Sequence, residues 1–269
     1  MNSDRCRDAL AWHVNCARWS RQVLAAERTE TIQLLGAAVR ASRRVELLAF
    51  SVADTHVHFL LRGEREAVGR AIQGFEGGVS RTRAFVEGFS PAHFEAIRSQ
   101  AHLSRAFWYA ARQDLHHGTR RDPFVDGNLL ADQLGLRLLD RRAWERVRTH
   151  LPRVRLQELL GLVEELGAGV QHRTPLQAVA EGAASALGRP TLDGRTPQVA
   201  GARSAALRVG SELGLEEARI AEQMAIAPAT LRVMRRRVPE EALLRAVRGQ
   251  VLLRLGMMEE LRAVLTRGR

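Results

Sequence analysis

The sequence predicts an α+β chain, with a ferredoxin-like antiparallel sheet and its helices in front and an all-α region behind. Three observations carry this. Short segments of strand-like polarity recur between residues 11 and 97, helically spaced apolar residues lie between them, and strand signals stop after Asp126.

Taken in order, Ala11-Trp12-His13-Val14-Asn15-Cys16-Ala17 alternates in polarity and reads as a first strand. Between Glu27 and Ser42, Ile32, Leu35, Ala38 and Val39 keep helical spacing. Val45 to Phe50 is a buried-strand candidate, and a tight turn at Ala53-Asp54-Thr55 leads into Thr55-His56-Val57-His58-Phe59-Leu60-Leu61 as its hairpin partner. Arg65 to Glu87 reads as a helix interrupted at Gly74 and at Gly77-Gly78, Phe94 to Ile97 as a short strand, and Leu103 to Leu115 as a helix. The order β-α-β-β-α-β-α fits an antiparallel sheet with helices on one face. Behind it, 129–139, 141–151, 156–166 and 175–187 read as helices, 188–202 as a linker, and the remainder as helical. The implied division is 1–127, 128–187, the linker, and 203–269.

The 269 residues carry 41 basic against 30 acidic side chains, a formal charge of +11, and every basic residue other than histidine is arginine. Guanidinium forks pair bidentately with phosphate and stack on bases, so the surplus points to nucleic acid or an anionic surface. Two cysteines, Cys6 and Cys16, do not make a disulfide framework. With no signal peptide and no apolar run long enough for a bilayer, the expectation is a cytoplasmic, nucleoid-associated protein without a membrane role.

On a strand, side chains two apart share a face, which puts His56 and His58 about 7 Å apart at Cβ. Two imidazoles so placed suit one divalent cation, and two polar residues on a solvated strand face are the alternative.

These pieces resemble, in order and spacing, the single-tyrosine HUH transposases, most closely the REP-associated type. Trp12-His13-Val14 matches an aromatic-His-Val strand. Ser51-Val52-Ala53-Asp54-Thr55-His56-Val57-His58-Phe59-Leu60-Leu61 resembles Val-Met-Pro-Asn-His-Val-His-Leu-Leu-Leu. His93-Phe94-Glu95-Ala96-Ile97 resembles Arg-Tyr-Lys-Ala-Ile, and Tyr109 to Gly118 resembles Tyr-Ile-x-x-Asn-Pro-x-x-Ala-Gly. The resemblance covers about residues 9 to 127. It implies the HUH fold, binding of single-stranded or hairpin DNA, and a divalent metal (Mg or Mn) on His56 and His58. It also implies a tyrosine on the following helix that forms a 5′-phosphotyrosine link, with a Gln or Asn one turn later as third ligand.

The chain departs from that pattern. In the helix after the histidines, Val79 falls at the tyrosine position and Arg83 at the third ligand, while Tyr109, the only tyrosine, matches a structural one. Ser80 or Thr82 is a weak substitute for the nucleophile, with no base beside it in sequence, and Glu76 reads as a solvated helix residue or, less well, as a substitute ligand. The expectation is therefore a DNA-binding protein with lost or weakened cleavage, contacting DNA through His13, Arg81 and Arg83. An active metal-dependent nickase or transposase is the alternative. His116 and His117 read as helix-end residues facing the carbonyl dipole.

Glu217 to Arg236 reads as a helix-turn-helix. Ile220, Ala221, Ile226, Leu231 and Met234 supply its core, Ala225 stands at the turn, and Pro228 opens the second helix. Thr230, Arg232, Arg235 and Arg236 then face duplex DNA, which leaves a transcriptional regulator as a third expectation. Arg141, Arg142, Arg146, Arg148, Arg153 and Arg155 extend the basic footprint. The resemblance admits a monomer or a homodimer.

Overall fold

The computed structural model describes residues 9–19, 23–25, 27–53, 55–83, 88–117, 122–168 and 171–267, with the side chains of 82, 83, 117 and 267 left outside. Cys6, Asp54 at the hairpin turn, and the side chains of Thr82, Arg83 and His117 thus lie outside the described residues.

The protein is α+β. Four strands, β1 (Ala11–Ala17), β2 (Glu46–Val52), β3 (His56–Arg62) and β4 (His93–Ile97), form one antiparallel sheet in the order β2-β3-β1-β4. α1 (Arg28–Ala41) joins β1 to β2, and α2 (Arg65–Arg83) joins β3 to β4. Each helix thus links two parallel strands with one strand inserted between them, a split β-α-β arrangement.

Helices cover both faces rather than the single face expected from sequence. Burial explains it: Leu47 to Ser51 and Val57 to Leu61 are buried without interruption, the signature of strands covered on both sides. On one face Val14, Phe50, Val57 and Phe59 pack with Leu34, Leu35 and Ala38 of α1 and Val68, Ile72, Phe75 and Val79 of α2. Phe75 meets Phe59 edge-on at 5.0 Å, a geometry that adds about 0.5–1.5 kcal/mol beyond burial. On the other face Ala11, Leu60 and Ile97 pack with Leu103, Phe107 and Ala110 of α3 (Gln100–Ala111). Ser99 caps α3, accepting from the His102 amide at 3.2 Å.

The expected helix 103–115 is two pieces, α3 and the short α4 (Gln113–His117). The expected helix 129–139 shrinks to α5 (Leu130–Gln133), because Gly135 turns left-handed (φ 74°) and the following Arg137 folds back onto Asp132. α2 runs through Gly74, Gly77 and Gly78 without a break. α6 (Ala143–His150), α7 (Leu156–Gly167) and α8 (Pro175–Ala186) follow as expected.

The expected linker 188–202 is loop only in its first part. Thr196 caps α9 (Pro197–Glu212), whose Val199, Gly201 and Ala202 are buried. α10 (Glu217–Gln223), α11 (Pro228–Arg236), α12 (Glu241–Leu255) and α13 (Met258–Arg267) complete the chain. α8 to α12 share one core, while Leu252, Leu253, Leu261 and Leu265 of α12 and α13 pack into the core beneath α3. Among the described residues, no helix is long and apolar enough to cross a membrane.

Candidate functional site

Strand pairing decides which side chains share a face. His13 pairs with Leu60 and Glu95, Asn15 with His58 and His93, and Ala17 with His56. Directly paired residues point the same way, so His13, His56, His58, His93 and Glu95 all belong to the face on which α3 lies. The rings of His56 and His58 have centroids 4.6 Å apart, and His58 stacks on His13 at 5.3 Å.

The polar contacts form a chain. Glu95 engages His13 Nδ1 at 3.4 Å through Oε2 and His102 Nε2 at 3.2 Å through Oε1. His13 Nε2 meets His58 Nδ1 at 3.0 Å. Burial holds the His13 imidazole below the usual histidine range, opposed by its hydrogen bond to Glu95, so its neutral form prevails at pH 7. A carboxylate only accepts, which places the single His13 proton on Nδ1 and makes Nε2 an acceptor. His58 then donates from Nδ1, which leaves Nε2 as its other ring nitrogen. His56 is held in turn by Thr55, whose Oγ1 lies 3.1 Å from Nδ1.

Onto this cluster α3 brings Tyr109. Its ring stands edge-on to His58 (5.5 Å, 89°) and to His13 (5.7 Å, 85°), and it is 44% exposed. His116 of α4 tilts against it at 5.5 Å, so this histidine belongs to the cluster rather than only to a helix end. Gln113, one turn after Tyr109, is buried and donates Nε2 to the Tyr109 carbonyl at 3.0 Å.

The residues singled out on α2 are elsewhere. Val79 is 2% exposed in the core on the opposite face. Ser80 and the exposed Arg81 share that helix. Glu76 also lies across the sheet from the histidines, beside Cys16, which it joins by a side-chain hydrogen bond. It is therefore no partner for His56 and His58: the strand alternation that unites the two histidines places Cys16 and its neighbour Glu76 behind them. Burial pushes the Glu76 carboxyl up despite the Cys16 hydrogen bond, and pushes the Cys16 thiol well up. Among the described residues, no three His, Cys, Asp or Glu side chains stand together as a cation site.

Sequence reasoning missed Glu95, His93 and His102, and placed Tyr109 apart from the histidines. The alternation His93-x-Glu95 was a usable signal for β4, since its register with β1 sets both residues beside His13. The approach of α3 has no counterpart in local sequence.

In the rear region α10 and α11 are joined by a turn in which Ala225 is left-handed (φ 51°). Ile220, Ala221, Met224, Ile226 and Met234 are buried, and Thr230, Arg232 and Arg236 are exposed. Arg235 is also exposed but pairs with Glu217.

No protein-family model matches the chain, and no curated protein or solved structure matches it.

Proposed function

We propose that the chain is a metal-dependent enzyme that cuts and rejoins single-stranded DNA through Tyr109, in the manner of the HUH transposases it resembles. One observation carries the reading: the only tyrosine of the chain is exposed and stands edge-on to His58 and His13. Gln113 supports it, four residues on, at the offset where that family has its third ligand. In this reading Tyr109 takes the nucleophile's place from Val79, and the expected loss of cleavage gives way to an active site.

His56, His58 and Gln113 would hold magnesium or manganese. The amide oxygen suits either ion and the imidazoles favour the transition ion, manganese, while the hydrogen-bond chain from Glu95 orients His58. Such an ion, held by these residues, would supply Lewis-acid polarisation of the scissile phosphate. Tyr109 gives up its phenolic proton and its oxygen attacks phosphorus. The P–O3′ bond breaks, the departing oxygen takes up a proton, and the 5′ end is stored as a phosphotyrosine ester. The surplus of arginine supplies the general attraction for the strand.

The test is a denaturing gel of the protein incubated with labelled single-stranded DNA, with and without hairpins, and manganese. A covalent adduct is expected for the native chain and for Ser80→Ala, and none for Tyr109→Phe. An adduct that survives Tyr109→Phe, or none from the native chain on any strand, overturns the reading.

A second, compatible reading assigns duplex binding to α10 and α11 as a helix-turn-helix. The left-handed turn at Ala225 favours it, with Thr230, Arg232 and Arg236 exposed on the second helix. Taken alone, it would make the chain a transcriptional regulator, and full duplex binding by the Tyr109→Phe variant separates the two roles.

A further inference from the structure

We propose that the cleft between α3 and the segment 151–165 seats the single-stranded DNA flanking the phosphate attacked by Tyr109, an inference that rests on the reading above. The cleft measures about 1180 Å³ and has Tyr109 and His116 in its wall, so it adjoins the histidine cluster that Tyr109 touches. Its volume exceeds the roughly 300–1,000 Å³ of a small-molecule site. A strand reacting at Tyr109 needs such a path on at least one side.

The chemistry of the walls selects the occupant. Arg105, Trp108, Tyr109 and Arg112 fall at i, i+3, i+4 and i+7 along α3 and its cap, one stripe of the helix turned to the cleft. Arg153 faces them from the other wall. The Arg112 guanidinium lies 5.2 Å over the Trp108 ring. Trp108 and the guanidinium lying over it form a cation–π step against which unpaired bases stack, and a duplex would not expose such bases.

The arginines differ from others of the basic footprint. Arg141, Arg142 and Arg146 are held by Glu240, Glu145 and Asp140. Arg105 and Arg153 are exposed and make no ion pair among the described residues. The wall also carries two carboxylates, Glu158, which caps α7 by accepting from the Arg155 amide at 2.7 Å, and the exposed Glu165. Arg105, Arg112 and Arg153 outnumber these two, and the balance favours phosphates.

The experiment titrates the full-length protein into a fluorescent oligothymidylate, an abasic strand of equal length and an oligouridylate, over a range of salt. Arg105→Ala with Arg153→Ala is expected to weaken oligothymidylate binding about tenfold or more and to lower the salt slope by about 1.4, two phosphate contacts on a single strand. Trp108→Ala is expected to lose about tenfold on oligothymidylate and little on the abasic strand, since stacking needs a base. Because Trp108 also packs against the core, the arginine pair carries the decision if that variant unfolds. Unchanged affinity and salt slope in the arginine pair overturn the cleft assignment, while an adduct at Tyr109 in the same preparation keeps the cleavage reading. The reverse result, weakened binding with no adduct from the native chain, keeps the cleft and sinks the cleavage. Tighter binding of oligouridylate overturns the commitment to DNA.

Discussion

At the residue scale, the two faces of the sheet treat ionisable groups in opposite ways. On the α3 face His13, Glu95 and His102 satisfy one another in a polar chain. On the α2 face Glu76 has only Cys16 as side-chain partner, and its Oε1 is buried with no hydrogen bond among the described residues. The folded state thus raises the Glu76 carboxyl above its unfolded value of 4.5. The linkage sign follows: the folded state is favoured fully below that value, and the advantage is lost as pH rises through the higher folded value. Glu76→Gln keeps an acceptor for the thiol and removes the charge. It is expected to raise the melting temperature at pH 7, with the gain vanishing below pH 4.5. Thermal melts at the two pH values check this, and an equal gain at both would mean that packing, not charge, is responsible. What was legible at this scale was the pairing of His56 with His58, because alternation along one strand fixes it. The meeting of Tyr109 with those rings was not, because it depends on where α3 docks through Leu103, Phe107 and Ala110.

At the element scale, strands and long helices could be read because apolar periodicity is written into contiguous residues. The errors fall where one residue or one distant contact overrides the period. Leucines 129, 130, 134, 136, 138 and 139 look helical, yet Gly135 takes φ 74° and Arg137 is fully buried on Asp132 and the carbonyls of Val125, Asp126 and Asn128. α9 escaped notice in its first turn because Pro197-Gln198-Val199-Ala200-Gly201-Ala202 offers mostly small residues. Those residues instead allow close approach: a Cβ on Gly201 would stand 3.2 Å from Leu243. The turn between α10 and α11 is the clearest local conflict. Ala225 at φ 51° occupies a conformation that disfavours a Cβ by about 1–2 kcal/mol. Ala225→Gly relieves this against the greater freedom of glycine when unfolded, for a net gain of roughly 0.5–1 kcal/mol, or about 2 °C in melting temperature. Ala225→Val, β-branched in the same conformation, is expected to lower it. Denaturant titration of the three proteins reads the order Gly, Ala, Val, and any other order shows that the turn relaxes away from the left-handed region.

At the scale of the whole molecule, the division into a front and a rear unit, plausible from where strand signals end, meets a buried charge network that joins them. Asp126 accepts from Arg28 of α1 at 2.7 Å, from Ser185 of α8 at 2.6 Å and from Arg254 of α12 at 3.0 and 3.2 Å. Arg28 and Arg254 both reach Ser185 as well, and Arg254 lies over Phe124 at 4.7 Å with no exposed surface. Burial alone would push the Asp126 carboxyl up; the guanidiniums of Arg254 and Arg28 outweigh it and hold the group below the usual carboxylate range. No local pattern announces such a network, since its members are up to 226 positions apart (28 to 254) and each reads as an ordinary surface charge in sequence. Its consequence is cooperative unfolding. All four tryptophans, Trp12, Trp19, Trp108 and Trp144, lie in the first 144 residues, whereas α6 to α13 supply much of the helix. Tryptophan fluorescence and far-ultraviolet dichroism therefore report different parts of the chain, and in the native protein their denaturant transitions are expected to coincide. Asp126→Ala takes the carboxylate from the fully buried Arg254 and from the quarter-exposed Arg28, and is expected to cost about 3–5 kcal/mol, with the two transitions separating. Arg254→Met leaves Asp126 still paired with Arg28 and is expected to cost less, with the transitions together. Separate transitions in the native chain would show that front and rear fold as independent units and that the network only decorates their contact.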